Sequence, residues 1–185
     1  MTIQLRPRSL HMMLHIDTNR LNARQALATM NQIEKWVDDE VILINMSEAA
    51  YDEARAGSNQ QRTRKATGFI FTIENDDEVS IHPTYQRIEA ALFPEGAKDQ
   101  NQKNDVRVVF EAQKYGAILI TNDGASKSQP GGILGNRDKL KGMVRIFSDE
   151  EAVEFIRSKI TERDELNRRI AQEFDLPLPE WTGRD

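Results

Sequence analysis

Residues 104–123, NDVRVVFEAQKYGAILITND, join a helix pattern directly to a strand pattern. In the first half, apolar side chains recur at helical spacing, which indicates one buried helix face. Gly116 is placed to end that helix, because glycine readily adopts the left-handed conformation of a C-cap. The apolar run at residues 117–121 is typical of a strand that is buried on both faces, as in a parallel sheet.

The lengths of these two elements place their outer ends at one edge of the domain. A helix of about 11 residues is about 16 Å long, and a strand of about five residues returns over a similar distance. Asp105 opens the predicted helix, and Asp123 follows the predicted strand. We therefore expect the two carboxylates at the same end of the domain, which in an open α/β sheet is the ligand-binding end.

The composition is that of a soluble globular chain. Its 185 residues suit a single domain, with 38% hydrophobic and 30% charged residues. No run approaches the roughly 18 apolar residues of a membrane span, and the absence of cysteine excludes disulfides and thiolate sites. The N-terminal apolar stretch is too short for a signal peptide, so we expect a cytoplasmic protein. The net charge of −5 argues against a surface coated for nucleic acid, but not against a local basic patch.

Strand and helix patterns alternate along the chain, and this alternation predicts the fold class. Further strands are expected at residues 12–16, 41–44 and 143–147, and further helices at about 21–36, after residue 45, and at 149–174 with a break. The pattern predicts a three-layer α/β/α fold with a mostly parallel central sheet, formed by one domain over residues 1–185.

Two regions fit this alternation less well. The stretch at about 57–103 carries a strand pattern at residues 69–73 and a short helix opened by Pro83, and we interpret it as an insertion or an elaborated connection. The stretch at about 175–185 is rich in proline, and we expect it to be an irregular or disordered tail.

Two more carboxylates follow predicted strands. Asp17 comes directly after the first strand, and Glu48 lies in the first turn of the helix after the second. Because the carboxyl ends of parallel strands meet at one edge, these acids should gather with Asp105 and Asp123. Like charges repel in such a cluster unless a cation neutralises them, and oxygen ligands suit Mg²⁺ or Mn²⁺. Such an ion activates water for hydrolysis of a phosphodiester.

Four short segments together resemble the PIN-domain nucleases. They are HIDTN at residues 15–19, INMSEAAYDE at residues 44–53, the helix-opening Asp105, and ITND at residues 120–123. The resemblance lies in their order and their strand–helix context, over roughly residues 12–156 apart from residues 57–103. It implies a PIN-like fold and a metal-dependent endoribonuclease that hydrolyses RNA phosphodiester bonds, most often the toxin of a toxin–antitoxin pair of the VapC kind.

The resemblance also implies roles for individual residues. The catalytic and metal-binding residues would be Asp17, Glu48, Asp105 and Asp123, with Asn19 and Thr121 as polar supports. The cofactor would be Mg²⁺ or Mn²⁺. The partners would be RNA and, for a toxin, a small antitoxin protein that blocks the acidic cleft; a homodimer is left open. The chain is longer than a compact PIN toxin, and the extra residues lie between Glu48 and Asp105.

Each acid also has a purely structural explanation. Asp17 could cap a helix, although the two residues after it are available for that role. Glu48 could simply complement a helix dipole. Asp105 could be an N-cap, and Asp123 in Asn-Asp-Gly could be a turn residue. We prefer the site interpretation because all four acids occur in this order and context.

Two basic stretches are candidates for binding RNA, because phosphate contacts need lysine and arginine. The stretch after Asp123 supplies Lys127, Arg137, Lys139 and Lys141, and an earlier one supplies Arg62 and Arg64. The alternative is that these are solvated surface charges, the usual role of such runs. The glycine-rich segment at residues 131–135 lacks the spacing of a phosphate loop, and we expect it to be flexible.

Other titratable residues have simpler interpretations. A capping box at residues 148–151 explains Asp149, and Asp99 is expected to be a loop charge. His11 and His15 lie in or beside a strand that should be buried, where packing or hydrogen bonding is more typical than zinc binding.

Two functions from other classes remain open. The chain could be a catalytically inactive PIN-like module that binds RNA or assembles with partners, although its full set of acids argues against this. A phosphatase with a phosphoaspartate is a weaker candidate. The sequence Asp17-Thr18-Asn19 lacks the second aspartate that such sites use for general acid catalysis.

Overall fold

Five parallel strands form the centre of the computed structural model, which describes residues 4–56, 58–72, 79–124 and 130–185. The strands are β1 (Met13–Ile16), β2 (Leu43–Ser47), β3 (Ile70–Thr72), β4 (Ile118–Ile120) and β5 (Arg145–Phe147). Their order across the sheet is β3–β2–β1–β4–β5, and every neighbouring pair is parallel. The prediction of a mostly parallel central sheet is confirmed.

Strand β1 lies at the centre of the sheet and sets the position of both neighbours. It pairs with β2 through His15 opposite Asn45, and with β4 through Ile16 opposite Ile120. The N–H of Asp17 donates to the Ile120 carbonyl at 3.0 Å, so the pairing continues past the end of β1. The loops that follow β1 and β4 therefore lie side by side at the carboxyl edge of the sheet.

Helices cover both faces of the sheet. They are α1 (Ala28–Asp38), α2 (Glu48–Ala56), α3 (Gln60–Thr67), α4 (Pro83–Leu92), α5 (Gln100–Lys114), α6 (Gly132–Gly135) and α7 (Asp149–Phe174), with 3-10 turns at Thr18–Arg20 and Arg137–Leu140. Helix α1 packs against α7, and α4 packs against α5. Successive residues of β4 point to opposite faces and are all buried, so both faces are covered. The three-layer α/β/α fold is confirmed.

The hydrophobic core lies between the sheet and these helices. Trp36 and Ile33 of α1 are fully buried, as are Leu14 and Ile16 of β1 and Leu119 of β4. Burial of side chains of this size contributes about 2 kcal/mol each, which is the main force that holds the layers together. Within the described ranges, no helix is long and apolar enough to cross a lipid bilayer.

Helix α5 begins earlier than the sequence pattern predicts. It starts at Gln100, and Asp99 is its N-cap, because the Asp99 side chain accepts a hydrogen bond from the N–H of Gln102 at 2.9 Å. The expectations that Asp99 is a loop charge and that Asp105 opens the helix are therefore wrong. The first turn of α5 is polar, so the spacing of apolar residues did not predict it. Asp105 instead projects from the second turn.

The stretch at 57–103 is part of the sheet rather than only an addition to it. Strand β3 pairs with β2 in parallel, with Met46 opposite Phe71, and forms one edge of the sheet. Helix α4 starts with Pro83 as predicted and packs on α5. Residue 57 and residues 73–78, which include part of the predicted strand, lie outside the described residues.

The C-terminal tail is irregular but held by specific contacts. Helix α7 runs unbroken over 26 residues, so the predicted break is wrong. After it, the N–H of Gly183 donates to Asp164 Oδ2 at 2.7 Å. The Arg163 guanidinium lies 4.4 Å from the centre of the Trp181 ring and pairs with Asp185 at 2.8 Å. These contacts fix the tail against α7, which excludes disorder for this stretch.

Candidate active site

Asp17 follows β1 directly and is buried, with 8% of its surface exposed. Its Oδ1 accepts a hydrogen bond from the N–H of Thr18 at 2.6 Å. Its Oδ2 accepts one from the Thr121 hydroxyl at 2.7 Å and another from the Asn19 side-chain amide. These donors fix the orientation of the carboxylate, but they are neutral and do not cancel its charge.

Asn19 and Thr121 connect the loop after β1 to the loop after β4. The Asn19 amide also donates to the Thr121 hydroxyl at 3.2 Å, and Asn19 Oδ1 accepts from the N–H of Asn122 at 3.0 Å. Thr121 in turn accepts from the N–H of Asp123 at 3.0 Å. Both residues therefore lie between Asp17 and Asp123 and join the two loops.

Asp123 is held from the other side by α6. Its Oδ2 accepts a hydrogen bond from the N–H of Ile133 at 3.0 Å, and its carbonyl accepts one from Leu134 at 3.0 Å. Gly132 has φ +55°, and a Cβ there would lie 2.2 Å from the Asp123 carbonyl oxygen. The expectation that residues 131–135 are merely flexible is therefore wrong, because this segment packs directly on Asp123.

Glu53 is the acid that α2 brings to this edge. The strand-end pattern predicted Glu48 here and did not predict Glu53. Its Oε2 accepts a hydrogen bond from the Thr18 hydroxyl at 3.1 Å. A helical signal was present: at about 100° per residue, Glu53 lies between Ala49 and Ala50 around the helix. Both alanines are buried, so this side of α2 faces the protein.

Glu48, the acid predicted for this position, lies elsewhere. Its carboxylate pairs with the Arg107 guanidinium of α5 at 3.3 Å. Its backbone N–H donates to Glu111 Oε2 at 3.0 Å. The structure therefore gives Glu48 a role in joining α2 to α5, and Glu53 takes the place that we predicted for Glu48.

Four acids at this edge are close enough for their negative charges to act on one another. We call them the acidic cluster: Asp17, Glu53, Asp105 and Asp123. Burial, followed by the charges of Asp123, Asp17 and Glu53, raises the pKa of Asp105 to about 7. Burial and the nearby charge of Glu53 raise the pKa of Asp17 to about 6, although the hydrogen bond from Thr121 opposes this shift. The protein therefore holds Asp17 and Asp105 where ionisation is unfavourable.

The donor set of the acidic cluster suits a hard divalent cation. All four side chains offer carboxylate oxygens, which Mg²⁺ and Mn²⁺ prefer. Among the described residues, no group of three or more His, Cys, Asp or Glu side chains is placed so that it could hold a metal ion. Mg²⁺ does not require such a group, because it usually binds through one or two carboxylates and keeps several waters. In donor type, the residues present therefore fit such an ion.

The predicted basic residues occupy different environments. Arg62 of α3 donates to the carbonyl of Thr18 at 2.7 Å, which places it beside the acidic cluster. Arg137 pairs with Glu151 at 2.6 Å. Arg64, Lys139 and Lys141 are exposed, and Lys127 lies outside the described residues.

Asp149 and His15 are two further buried titratable residues, and neither belongs to the acidic cluster. Ser148 caps α7 and forms a capping box with Glu151, as predicted, and Asp149 at the first position of the helix pairs with Arg20 at 2.9 Å and accepts from Thr29. His15 is fully buried in β1, and burial lowers its pKa to about 4, so the ring is neutral. This fits packing rather than zinc binding.

Comparison with solved structures shows a distant structural likeness. No protein-family model matches the chain, and no curated protein matches it. Among solved structures, the chain is similar to one in the crystal structure of VapBC2 from Rickettsia felis bound to a DNA fragment from their promoter. The TM-score is 0.49 and the identity 17%, over 74% of this chain and 98% of that chain. We draw no functional conclusion from a likeness this distant.

Proposed function

We propose that this protein is a Mg²⁺- or Mn²⁺-dependent endoribonuclease with its active site at the acidic cluster. The observation that carries the proposal is the gathering of four carboxylates that no cation of the described residues neutralises. Asp17, Glu53, Asp105 and Asp123 form no ion pair with lysine or arginine anywhere in the described ranges. A divalent ion is the partner that such a cluster requires.

The chain's own residues position the reaction. Asp17 is held rigidly by Thr18 and Thr121, and Asp123 is held by the N–H of Ile133. When bound, the ion would supply a Lewis acid for the phosphodiester and lower the pKa of a water. Hydrolysis would add a water to phosphorus and release one ribose oxygen, at a site where the acids that would hold the ion are already oriented.

The choice of RNA as substrate rests on the resemblance to PIN-domain nucleases and on the basic residues near the cluster. Arg62 lies beside Thr18, and Lys139 lies in the segment that continues from α6. The toxin role, with a small antitoxin protein as partner, rests on the same resemblance. An antitoxin that blocks this site would need basic or metal-directed contacts at the cluster.

The test is cleavage of a mixed single-stranded RNA in Mn²⁺, in EDTA, and with the Asp105→Asn protein. We expect cleavage in Mn²⁺ only, and its loss in Asp105→Asn. The matched control is Asp52→Asn, which removes an exposed aspartate next to Glu53 and should cut normally. A folded protein that binds RNA without cutting it would instead identify an inactive RNA-binding module, and release of phosphate from small esters would identify a phosphatase.

A further inference from the structure

A groove of about 370 Å³ opens beside the acidic cluster, between the end of α4, the start of α5 and the segment around α6. We call it the side groove; its lining includes Phe93, Lys98, Gln102, Pro130, Asn136 and Lys139. Its volume lies within the range of about 300–1,000 Å³ that small-molecule sites occupy. None of these residues belongs to the acidic cluster.

The side groove is joined to the acidic cluster along two walls. On α5, Gln102 lies one turn before Asp105, about 4.5 Å away along the helix axis and on the same side. On the other wall, Asn136 donates to the carbonyl of Gly132 at 2.7 Å, and Gly132 packs on Asp123. A chain bound at the acidic cluster therefore meets this groove next.

The polar groups of the side groove suit a nucleotide. Among the described residues, Lys98 pairs with Glu95 alone, at 2.5 Å, and both side chains are largely exposed. Such surface pairs contribute little, so a phosphate can replace Glu95 as the partner of Lys98. Lys139 supplies a second exposed ammonium.

Gln102 supplies a directed donor. It is 8% exposed, and its Oε1 accepts a hydrogen bond from the N–H of Lys98 at 2.6 Å. That contact fixes the side-chain amide, while its Nε2 donates to no described residue. A buried amide of fixed orientation that lines a groove can read a ribose hydroxyl or a base carbonyl.

We propose that the side groove binds the nucleotide next to the scissile phosphate of a single-stranded RNA. Lys98 and Lys139 contact its phosphates, Gln102 donates to its ribose or base, and the rings of Phe93 and Pro130 form an apolar wall. The proposal rests on the proposed function, since it assigns the substrate's position relative to the acidic cluster.

The test measures binding of a fluorescein-labelled single-stranded RNA of about 12 nucleotides, a length typical of single-strand sites. Fluorescence anisotropy in EDTA gives the Kd at several salt concentrations. We expect the Lys98→Ala, Lys139→Ala double variant to bind about 10-fold more weakly. Its slope of log K against log salt should fall by about 1.4, or about 0.7 for each lost phosphate contact. Gln102→Glu keeps the oxygen that accepts from the N–H of Lys98 and removes the side-chain N–H donor. It should weaken RNA binding while the hydrogen bond from Lys98 is retained.

The matched control is Lys159→Ala, which removes an exposed lysine from a comparable surface pair with Glu162 on α7. It should bind as the unmodified protein does. Equal affinity and salt slope in the double variant and the control would overturn the side-groove proposal, even if the unmodified protein cuts RNA in Mn²⁺. Selective loss of binding in the double variant supports it, and absence of cleavage by the unmodified protein would then count against the nuclease alone.

Discussion

The buried Asp149 and the half-buried Asp105 have opposite surroundings. Asp149, 1% exposed, is paired with Arg20 at 2.9 Å and accepts from Thr29. Burial alone would raise its pKa, but the hydrogen bonds from Thr29 and Arg20 outweigh burial, and the pKa lies below its usual value. Asp105 has no such partner among the described residues, and its pKa rises to about 7.

The difference shows that burial by itself does not identify a functional acid. Asp164 is also buried, and it lies within a closed network with Arg163 and Gly183 that ties the tail to α7. These paired acids stabilise the fold, whereas ionised Asp17 and Asp105 oppose it. A protein retains an unfavourable cluster of this kind when function requires it, at some cost in stability.

The largest expected effect separates Glu53 from Glu48. We expect Glu53→Gln to reduce Mn²⁺-dependent RNA cleavage by about 1,000-fold, because it removes charge from the site where charge develops in the reaction. Glu48→Gln should have a much smaller effect on the chemical step, because Glu48 pairs with Arg107. Single-turnover rates at saturating Mn²⁺ measure both. Equal losses in the two variants would refute the assignment of Glu53 to the cluster.

A paired acid should respond through stability. We expect Asp149→Asn to lower the free energy of unfolding by about 3 kcal/mol, because it leaves Arg20 partly buried without a carboxylate. Urea denaturation measures this change. Asp138→Asn, at an exposed position in the neighbouring 3-10 turn, is the control. A change below about 1 kcal/mol would mean that the Arg20 pair contributes no more than a surface ion pair.

Gly132 tests whether α6 positions the acidic cluster. We expect Gly132→Ala to lower the cleavage rate by about 30-fold, since a small displacement of a catalytic group is costly and the new Cβ would meet the Asp123 backbone. Gly124→Ala is the control, because a Cβ there meets no atom within 4 Å. Unchanged cleavage by Gly132→Ala protein would show that Asp123 does not depend on this contact.

Asp105→Asn should have the smallest effect on stability, and of opposite sign to that of Asp149→Asn. The folded-state pKa of Asp105, about 7, lies above its ordinary value of 3.8, so the folded protein prefers the protonated form. The cost of ionisation is absent below about pH 4, grows between pH 4 and 7, and is complete at pH 8. We therefore expect Asp105→Asn to stabilise the metal-free protein at pH 8 by about 1–2 kcal/mol after allowance for solvent screening.

Thermal unfolding in EDTA checks this expectation. A gain of about 1–2 kcal/mol corresponds to a rise in Tm of about 3–6 °C for a chain of this length. The rise should shrink at pH 4, where Asp105 is protonated in both states. A lower Tm for Asp105→Asn at pH 8 would contradict the view that this carboxylate opposes folding.

The sequence predicted the sheet and three of the clustered acids because local signals report them. Asp17 and Asp123 each follow a short apolar run, and such runs form the buried parallel strands β1 and β4. Asp105 was identified by the same reasoning, although α5 begins five residues earlier, at Gln100. Polar first turns carry no apolar periodicity, so helix starts of this kind are difficult to predict.

Other features depend on contacts between distant segments. Glu53 and Glu48 lie on one helix, and only the rotation of α2 against Thr18 and Arg107 distinguishes their roles. The buried alanines of α2 indicate which side of the helix faces the protein. The position directly after a strand, however, favoured Glu48, the first acid of the helix. The role of Gly132 could not be predicted, because it depends on contact with Asp123 in three dimensions.

The hydrogen bond from Thr121 to Asp17 joins residues 104 positions apart. Asp123 accepts its hydrogen bond from Ile133, which follows it in the chain. A chain emerging from the ribosome therefore carries Asp17 long before it carries Thr121, and Asp123 before Ile133. Until β4 has docked on β1 and α6 has formed, the acids are separate side chains on an incomplete sheet. The order of synthesis thus delays assembly of the proposed ribonuclease site until most of the chain has been translated.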